Sequence, residues 1–506
     1  MQTVPPQEVQ IAAPFVAPAS GAKVKFLQRV CTALFAPVDI SFLVFFRILF
    51  GGIMLWEVYR YFSYDWITRY FVEPAVTFTY YGFSWVKPWP GRGMYIHFLV
   101  LGVAAACVML GFLYRIAAPV FFLAFTYFFL LDQTRYLNHF YLVCLISLLM
   151  CFLPAHRAFS VDASLWRRIR SDVTPAWTLW LLRIQVGIPY FYGGIAKLNS
   201  DWIQGGEPMR SWLRPLTTLP GGSPIFTSDW VVYGFVIGGL LLDLLVVPLL
   251  LWRRTRLFAL VAAIVFNLIN SVIFDIGIFP WLMLGALLIY FPPDLMRRFA
   301  RAFMSPEEVF GDAKPSPEPV RAATTADRNP SLSASQKLTA GLLATYLGFH
   351  LLFPLRHYLY PGNVSWTEEG HNFAWHMKLR TKEGEAVFNV THPQSGQTWT
   401  IKPKDYLKPH QMMKVITKPD LIVQFAHFLA AEKRREGHDD VEVRTHVLVS
   451  LNGRQPQLLI DPNVDLTKET VSLLPARWIV PLTTPLENRD TRGSGNQRLI
   501  HSSAEE

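Results

Sequence analysis

Lys197 closes an apolar run of helix length, in Pro189-Tyr-Phe-Tyr-Gly-Gly-Ile-Ala-Lys197-Leu-Asn-Ser-Asp-Trp202. An ammonium is costly at membrane depth, and an apolar site favours the neutral amine, so a lysine placed there is a candidate general base. Lys197 is therefore expected to rest as a neutral, desolvated amine. Arg183 and Tyr190 precede it at intervals of seven, so on a helix all three share one side. Gly193 and Gly194 thin the adjoining surface, which admits a flat ring or another helix. A second candidate pair, Asn138-His139, opens another apolar run, and an oriented amide and imidazole can hold an oxyanion or move a proton.

Each candidate has a plainer reading. Lys197 can snorkel from a helix end, Asn138 can cap its helix with His139 in the headgroup zone, and Tyr190 can serve packing alone. Arg47, Arg183 and Asp243 lie deeper in apolar runs, and the expectation is that they pair with one another, because buried charges need partners.

The elements that must hold these residues follow from composition. Of 506 residues, 52% are hydrophobic and only 17% charged, more apolar than a soluble core requires. Runs able to form spanning helices fall near residues 40–62, 94–114, 116–131, 139–153, 177–197, 229–251, 257–275, 278–292 and 338–356, about nine in all. The net charge of +10 resides mainly between them: Lys23, Lys25 and Arg29 first, then Arg115, then Arg157 to Arg170, Arg253 to Arg256 and Arg297 to Arg301. With alternating spans every cluster lies on one face, the cytoplasmic one, which argues against nucleic acid as a partner. Lys197 and Asn138-His139 then meet at the opposite face. The start of the chain lacks a cleaved signal's basic-then-apolar pattern, so the first span is expected to act as an uncleaved signal.

The expected organisation is a disordered start (1–35), a transmembrane catalytic domain (36–300), a cytoplasmic linker (301–337), a last transmembrane helix (338–356), an extracytoplasmic substrate domain (357–488) and a disordered tail (489–506). The substrate domain reads as mostly β. Phe373–Arg380, Ala386–Val390, Gln397–Ile401 and His446–Leu451 alternate as strands do, and Asp420–Arg435 reads as one helix. Trp375, His376 and Met377 sit on the first of these strands, either as ordinary packing or as an edge that touches substrate. No cysteine pair or His-Glu-x-x-His pattern suggests a metal site.

Three segments carry a resemblance: Leu130-Leu-Asp-Gln-Thr-Arg-Tyr-Leu-Asn138-His139-Phe-Tyr141, Tyr190-Phe-Tyr-Gly-Gly-Ile-Ala-Lys197-Leu-Asn-Ser-Asp201-Trp202, and the stretch from Phe266-Asn-Leu-Ile-Asn270 to Phe279-Pro280. With Phe373-Ala-Trp375-His-Met377 and Ile460-Asp-Pro462-Asn-Val-Asp465, they resemble, in order over residues 35–485, the vitamin K-dependent γ-glutamyl carboxylases, as a bacterial-type member with an HTTM domain. The resemblance implies an integral membrane enzyme, in a bacterial inner membrane. Vitamin K hydroquinone, of menaquinone or phylloquinone type, reacts with O2 to give the epoxide, while a peptide glutamate loses a γ-proton and captures CO2. It also implies that Lys197 is the base acting on the hydroquinone, with Asn138, His139 and Tyr190 at the quinone. Ala196 stands where animal members carry a second lysine, and Asn267 stands where a histidine is expected. The cysteines that would tether the membrane and exported parts are missing.

The residues alone leave three readings open: a carboxylase, a quinone epoxidase without carboxylation, and a non-catalytic lipid or quinone carrier. Convergence of Lys197 and His139 on one face argues against the last. Only the resemblance favours carboxylation of a glutamate-containing peptide or protein.

Overall fold

A computed structural model describes residues 30–218, 222–274, 276–303 and 332–486. Each apolar run becomes a helix. In chain order these are α1 (Ser41–Ser63), α2 (Gly93–Leu110), α3 (Tyr114–Leu130), α4 (Asn138–Phe152), α5 (Ala176–Ala196), α6 (Asp229–Leu251), α7 (Arg256–Ile273), α8 (Phe279–Leu287) and α9 (Ala334–Leu352). Five of them, α1, α2, α6, α7 and α9, are long and apolar enough to cross a bilayer unaided; α3, α4 and α8 are shorter apolar helices. The protein is thus a multi-pass membrane protein, and length and hydropathy establish five spans rather than nine. Val272 (81% exposed) and Phe258 (70%) on α7 turn outward, an arrangement that suits lipid and not water. Lys23, Lys25, Arg29, most of the linker and the tail lie outside the described residues.

Two short strands, β1 (Pro37–Asp39) and β2 (Val173–Pro175), pair antiparallel where the chain enters α1 and α5. Arg297 fastens this end, with Nε 2.7 Å from Asp39 Oδ2 and one amino group 3.2 Å from Asp172 Oδ1.

The C-terminal domain is built on a four-stranded antiparallel sheet. Its strands are β3 (Lys382–Thr391), β4 (Thr398–Ile401), β5 (Glu442–Leu451) and β6 (Gln457–Leu458), in the order β4-β3-β5-β6. Two helices, α10 (Pro409–Thr417) and α11 (Pro419–Arg435), separate β4 from β5, so the domain is mixed and its sheet smaller than the alternation predicts. Phe388 and Val390 on β3, and Val443, Val447 and Val449 on β5, point inward against α11, where Phe425 meets Phe388 with ring centres 5.0 Å apart.

The expected strand Phe373–Arg380 does not form. Phe373, Trp375 and Lys378 adopt φ values of +64°, +60° and +50°, which no strand tolerates. The cause is tertiary: Trp375 is 1% exposed and belongs to the membrane-domain core, against Tyr141 at 4.9 Å. Phe78, from the loop after α1, belongs conversely to the C-terminal core. Each domain therefore inserts a large side chain into the other. Polar contacts accompany the exchange: Gln424 bonds both ways with the Thr79 backbone at 2.9 and 3.1 Å. Gln411 donates to Val76 O at 2.9 Å and to Asp132 Oδ2 at 3.2 Å. Asp201 accepts from Asn452 at 2.8 Å and from both amino groups of Arg454 at 2.7 and 2.6 Å.

Candidate active site

The site begins where α5 meets α6. A Cβ on Gly194 would stand 2.5 Å from Leu244 Cδ2, and one on Gly193 would stand 3.2 Å from Asp243 Oδ2 and 3.1 Å from Met377 Cε. The glycine pair thus admits a helix and the tip of Met377, rather than a flat ring. This approach brings Asp243 Oδ2 to 2.5 Å from Lys197 Nζ, which also donates to Gly193 O at 3.2 Å. Both side chains are buried.

Two expectations are corrected here. Lys197 does not stand alone in the apolar wall but pairs with Asp243, because a lone buried charge is far costlier than a paired one. Asp243 consequently does not pair with Arg47 or Arg183. Arg47 instead donates to the Ala155 and Phe159 carbonyls at the turn after α4, at 2.8 and 2.5 Å. Arg183 donates to the carbonyls of Ile289 and Phe291 at 2.9 and 3.1 Å.

Lys197 and Asp243 open on a cavity of about 1130 Å³ that Asn138, His139, Tyr190 and Met377 also line. Large apolar side chains, among them Trp202, Trp212, Phe266 and Phe274, complete its wall. Asn138 is the first residue of α4 and does not cap it. Its Oδ1 accepts from the Tyr136 hydroxyl at 3.0 Å and its Nδ2 donates to His376 O at 3.2 Å, which ties the helix start to the C-terminal domain. His139 makes no side-chain hydrogen bond among the described residues, and its ring packs between Phe140 and Phe279. The Tyr190 hydroxyl is buried without a partner, near Asn267, whose amide donates to Ala263 O at 2.8 Å. Asn267 lines the same cavity.

Of Trp375, His376 and Met377, only Met377 reaches the cavity lining. Trp375 is core. The His376 ring is buried beside His357 and His371, at 4.7 and 5.2 Å, with neither nitrogen bonded. Burial above all, and then His357 and Arg380, push this imidazole down to about 3, so it is neutral at physiological pH. His376 therefore acts on the site through its backbone carbonyl.

Sequence reasoning missed Asp243 as the partner of Lys197, and it missed Glu57, Arg60, Arg69, Arg135 and Lys378 in the lining. The signal for Asp243 was present: a carboxylate deep in the 229–251 run, whose other one, Asp229, stands at its start, and a glycine pair one turn before Lys197.

A membrane helix bundle with a buried Lys–Asp pair in an apolar cavity, roofed by the C-terminal domain, defines the class: a multi-pass membrane protein with a ligand-sized apolar site. Residues 35–295 match the HTTM domain family, and residues 335–485 match the family described as vitamin K-dependent gamma-carboxylase, lumenal domain. The chain belongs to the vitamin K-dependent γ-carboxylase family, whose lumenal domain corresponds here to the extracytoplasmic C-terminal part. No solved structure matches it.

Proposed function

We propose that this protein is a vitamin K-dependent γ-glutamyl carboxylase of a bacterial-type inner membrane. It converts peptide glutamate to γ-carboxyglutamate with CO2 and O2, coupled to epoxidation of vitamin K hydroquinone. The observation that carries the reading is the convergence of Lys197, Asn138, His139 and Tyr190, from separate stretches of chain, on one apolar cavity. Nine spans, the short helices included, would put that cavity and the C-terminal domain on the noncytoplasmic side.

The cavity suits a reduced isoprenoid quinone. Its volume slightly exceeds the usual range for small-ligand sites, about 300–1,000 Å³. Its wall is largely aromatic and aliphatic, and the orphaned Tyr190 hydroxyl is a donor waiting for an oxygen. When bound, the reduced quinone supplies, with O2, the strong base that the γ-carbon of glutamate requires. Lys197 and Asp243 start the sequence. As a pair they carry no net charge wherever their shared proton sits, so they retain one vacant basic site for a phenolic proton. Asn138 has a second amide N–H beyond the one given to His376 O, and with His139 it can steady the resulting oxyanion. The wall and the segment 373–378 keep water from the base.

The test is an assay of purified protein with reduced vitamin K, bicarbonate and a glutamate peptide, scoring epoxide and carboxylated peptide separately. Both products are expected from the native chain. Lys197→Ala should abolish epoxidation with the fold intact, and small amines should partly restore it. Epoxidation at the native rate in Lys197→Ala would remove the base assignment. Epoxide without carboxylate would leave a quinone epoxidase.

A further inference from the structure

Several basic side chains line the end of the cavity that meets the C-terminal domain. Of the charged residues in its lining, Glu57 is paired with Arg60 at 2.8 Å and Asp243 with Lys197 at 2.5 Å. Arg69 and Arg135 close no ion pair among the described residues, and Arg135 lies near the Glu57 carboxylate and the Tyr61 hydroxyl. Lys378, from the C-terminal domain, also lines this rim, its Nζ 4.5 Å from the centre of the Phe274 ring.

Arg135 is the best placed. Its guanidinium carbon lies 3.8 Å from the centre of the Tyr70 ring, which fixes the plane of the fork, and its Nε is buried without an acceptor. The backbone beneath is held as firmly. Arg135 ends the 3₁₀ turn Gln133–Arg135, which Asp132 caps by accepting from Thr134 N at 2.8 Å while Gln411 of the C-terminal domain holds the other oxygen. Asn138 and His139 follow directly and face the same cavity. A planar cation with an open donor, in an apolar wall, matches a carboxylate better than any neutral group.

We propose that Arg135 is the carboxylate-receiving group of this cavity. It takes the side-chain carboxylate of a peptide glutamate and holds the γ-carbon next to the quinone site bounded by Asn138 and His139. The proposal rests on the carboxylase reading for the identity of the ligand, and its test does not depend on turnover.

Full-length protein in lipid nanodiscs is titrated into a fluorescent glutamate peptide, and separately into its glutamine counterpart, with anisotropy as the readout. The native chain should prefer the glutamate peptide. Arg135→Gln should weaken that peptide by about 10- to 100-fold, the scale of a lost charge-assisted hydrogen bond, with little change for the glutamine peptide. Arg135→Lys, which keeps the charge but not the fork, should fall between and guards against misfolding of the first variant. Full retention of the glutamate preference in Arg135→Gln or Arg135→Lys, or no preference in the native chain, overturns the proposal. If the preference behaves as expected but the native protein forms no carboxylated product from the same peptide, the carboxylase reading fails while the subsite stands.

Discussion

At the scale of single residues, the pair Lys197–Asp243 separates stability from chemistry. Asp243→Asn leaves an ammonium in an apolar wall, and removing one partner of a buried pair typically costs about 3–5 kcal/mol. Lys197→Met combined with Asp243→Leu removes both charges from the same contact and should recover most of that loss, as thermal unfolding would report. The double variant should nonetheless make no epoxide. If its stability stays as low as that of Asp243→Asn, the two side chains do not form the thermodynamic unit that their 2.5 Å contact implies. His139 belongs to the same scale. With no hydrogen bond to lose, His139→Ala should unfold close to the native temperature yet turn over quinone roughly 10²-fold more slowly, the usual scale for a positioned acid–base or oxyanion group. Unchanged kinetics in a folded variant would return His139 to packing between Phe140 and Phe279.

At the scale of elements, the C-terminal domain hides amines that are costly to protonate. Burial, the largest cause, pulls Lys418 down to about 7 and Lys382 down to about 8, although Glu368 opposes both shifts. Lys382 donates to Trp366 O, Thr417 O and Glu368 Oε1, at 2.7, 2.9 and 3.0 Å. Because the folded values lie below the unfolded one, this contribution is complete above the unfolded lysine range and disappears as pH falls through about 8 and then 7. The unfolding midpoint should therefore rise from pH 7 towards pH 9, with a flatter profile in Lys418→Met; an identical slope in that variant would contradict the assignment. How well elements could be read from sequence depended on what fixes them. The apolar runs were legible as helices because hydrophobicity alone marks them. Phe373–Arg380 misled because its alternation imitates a strand, while its backbone is set by burial of Trp375 in the other domain's core. Lys197 and Asn138-His139 announced themselves as polar groups at apolar run ends, and Asp243 as a charge deep in an apolar run, but which cation Asp243 meets is decided by the contact of α5 with α6.

For the whole molecule, the proposed nine spans make a prediction about sidedness. A single cysteine placed at Ser365 should react with an impermeant reagent from the noncytoplasmic side of oriented vesicles, and one at Ser171 should react only after permeabilisation. Labelling of both from one side would require a different number of crossings and would part Lys197 from the exported domain. The contacts already described favour the first outcome, since the loop carrying Phe78 and Thr79 packs on the C-terminal domain at the end of the bundle where Lys197 lies.

The exchange of side chains between the two domains has a consequence for failure. Asp201, four residues beyond Lys197, is gripped by Arg454 and Asn452, and Asn138 hangs from His376 O. The exported domain therefore cannot lift away while the cavity stays assembled, because the same contacts close the lid and aim the reacting groups. The arrangement is an interlock. If the proposed reaction holds, a molecule damaged at the domain junction should lose its chemistry together with its shield, rather than idle as a leaking oxidase that consumes quinone and oxygen in open water.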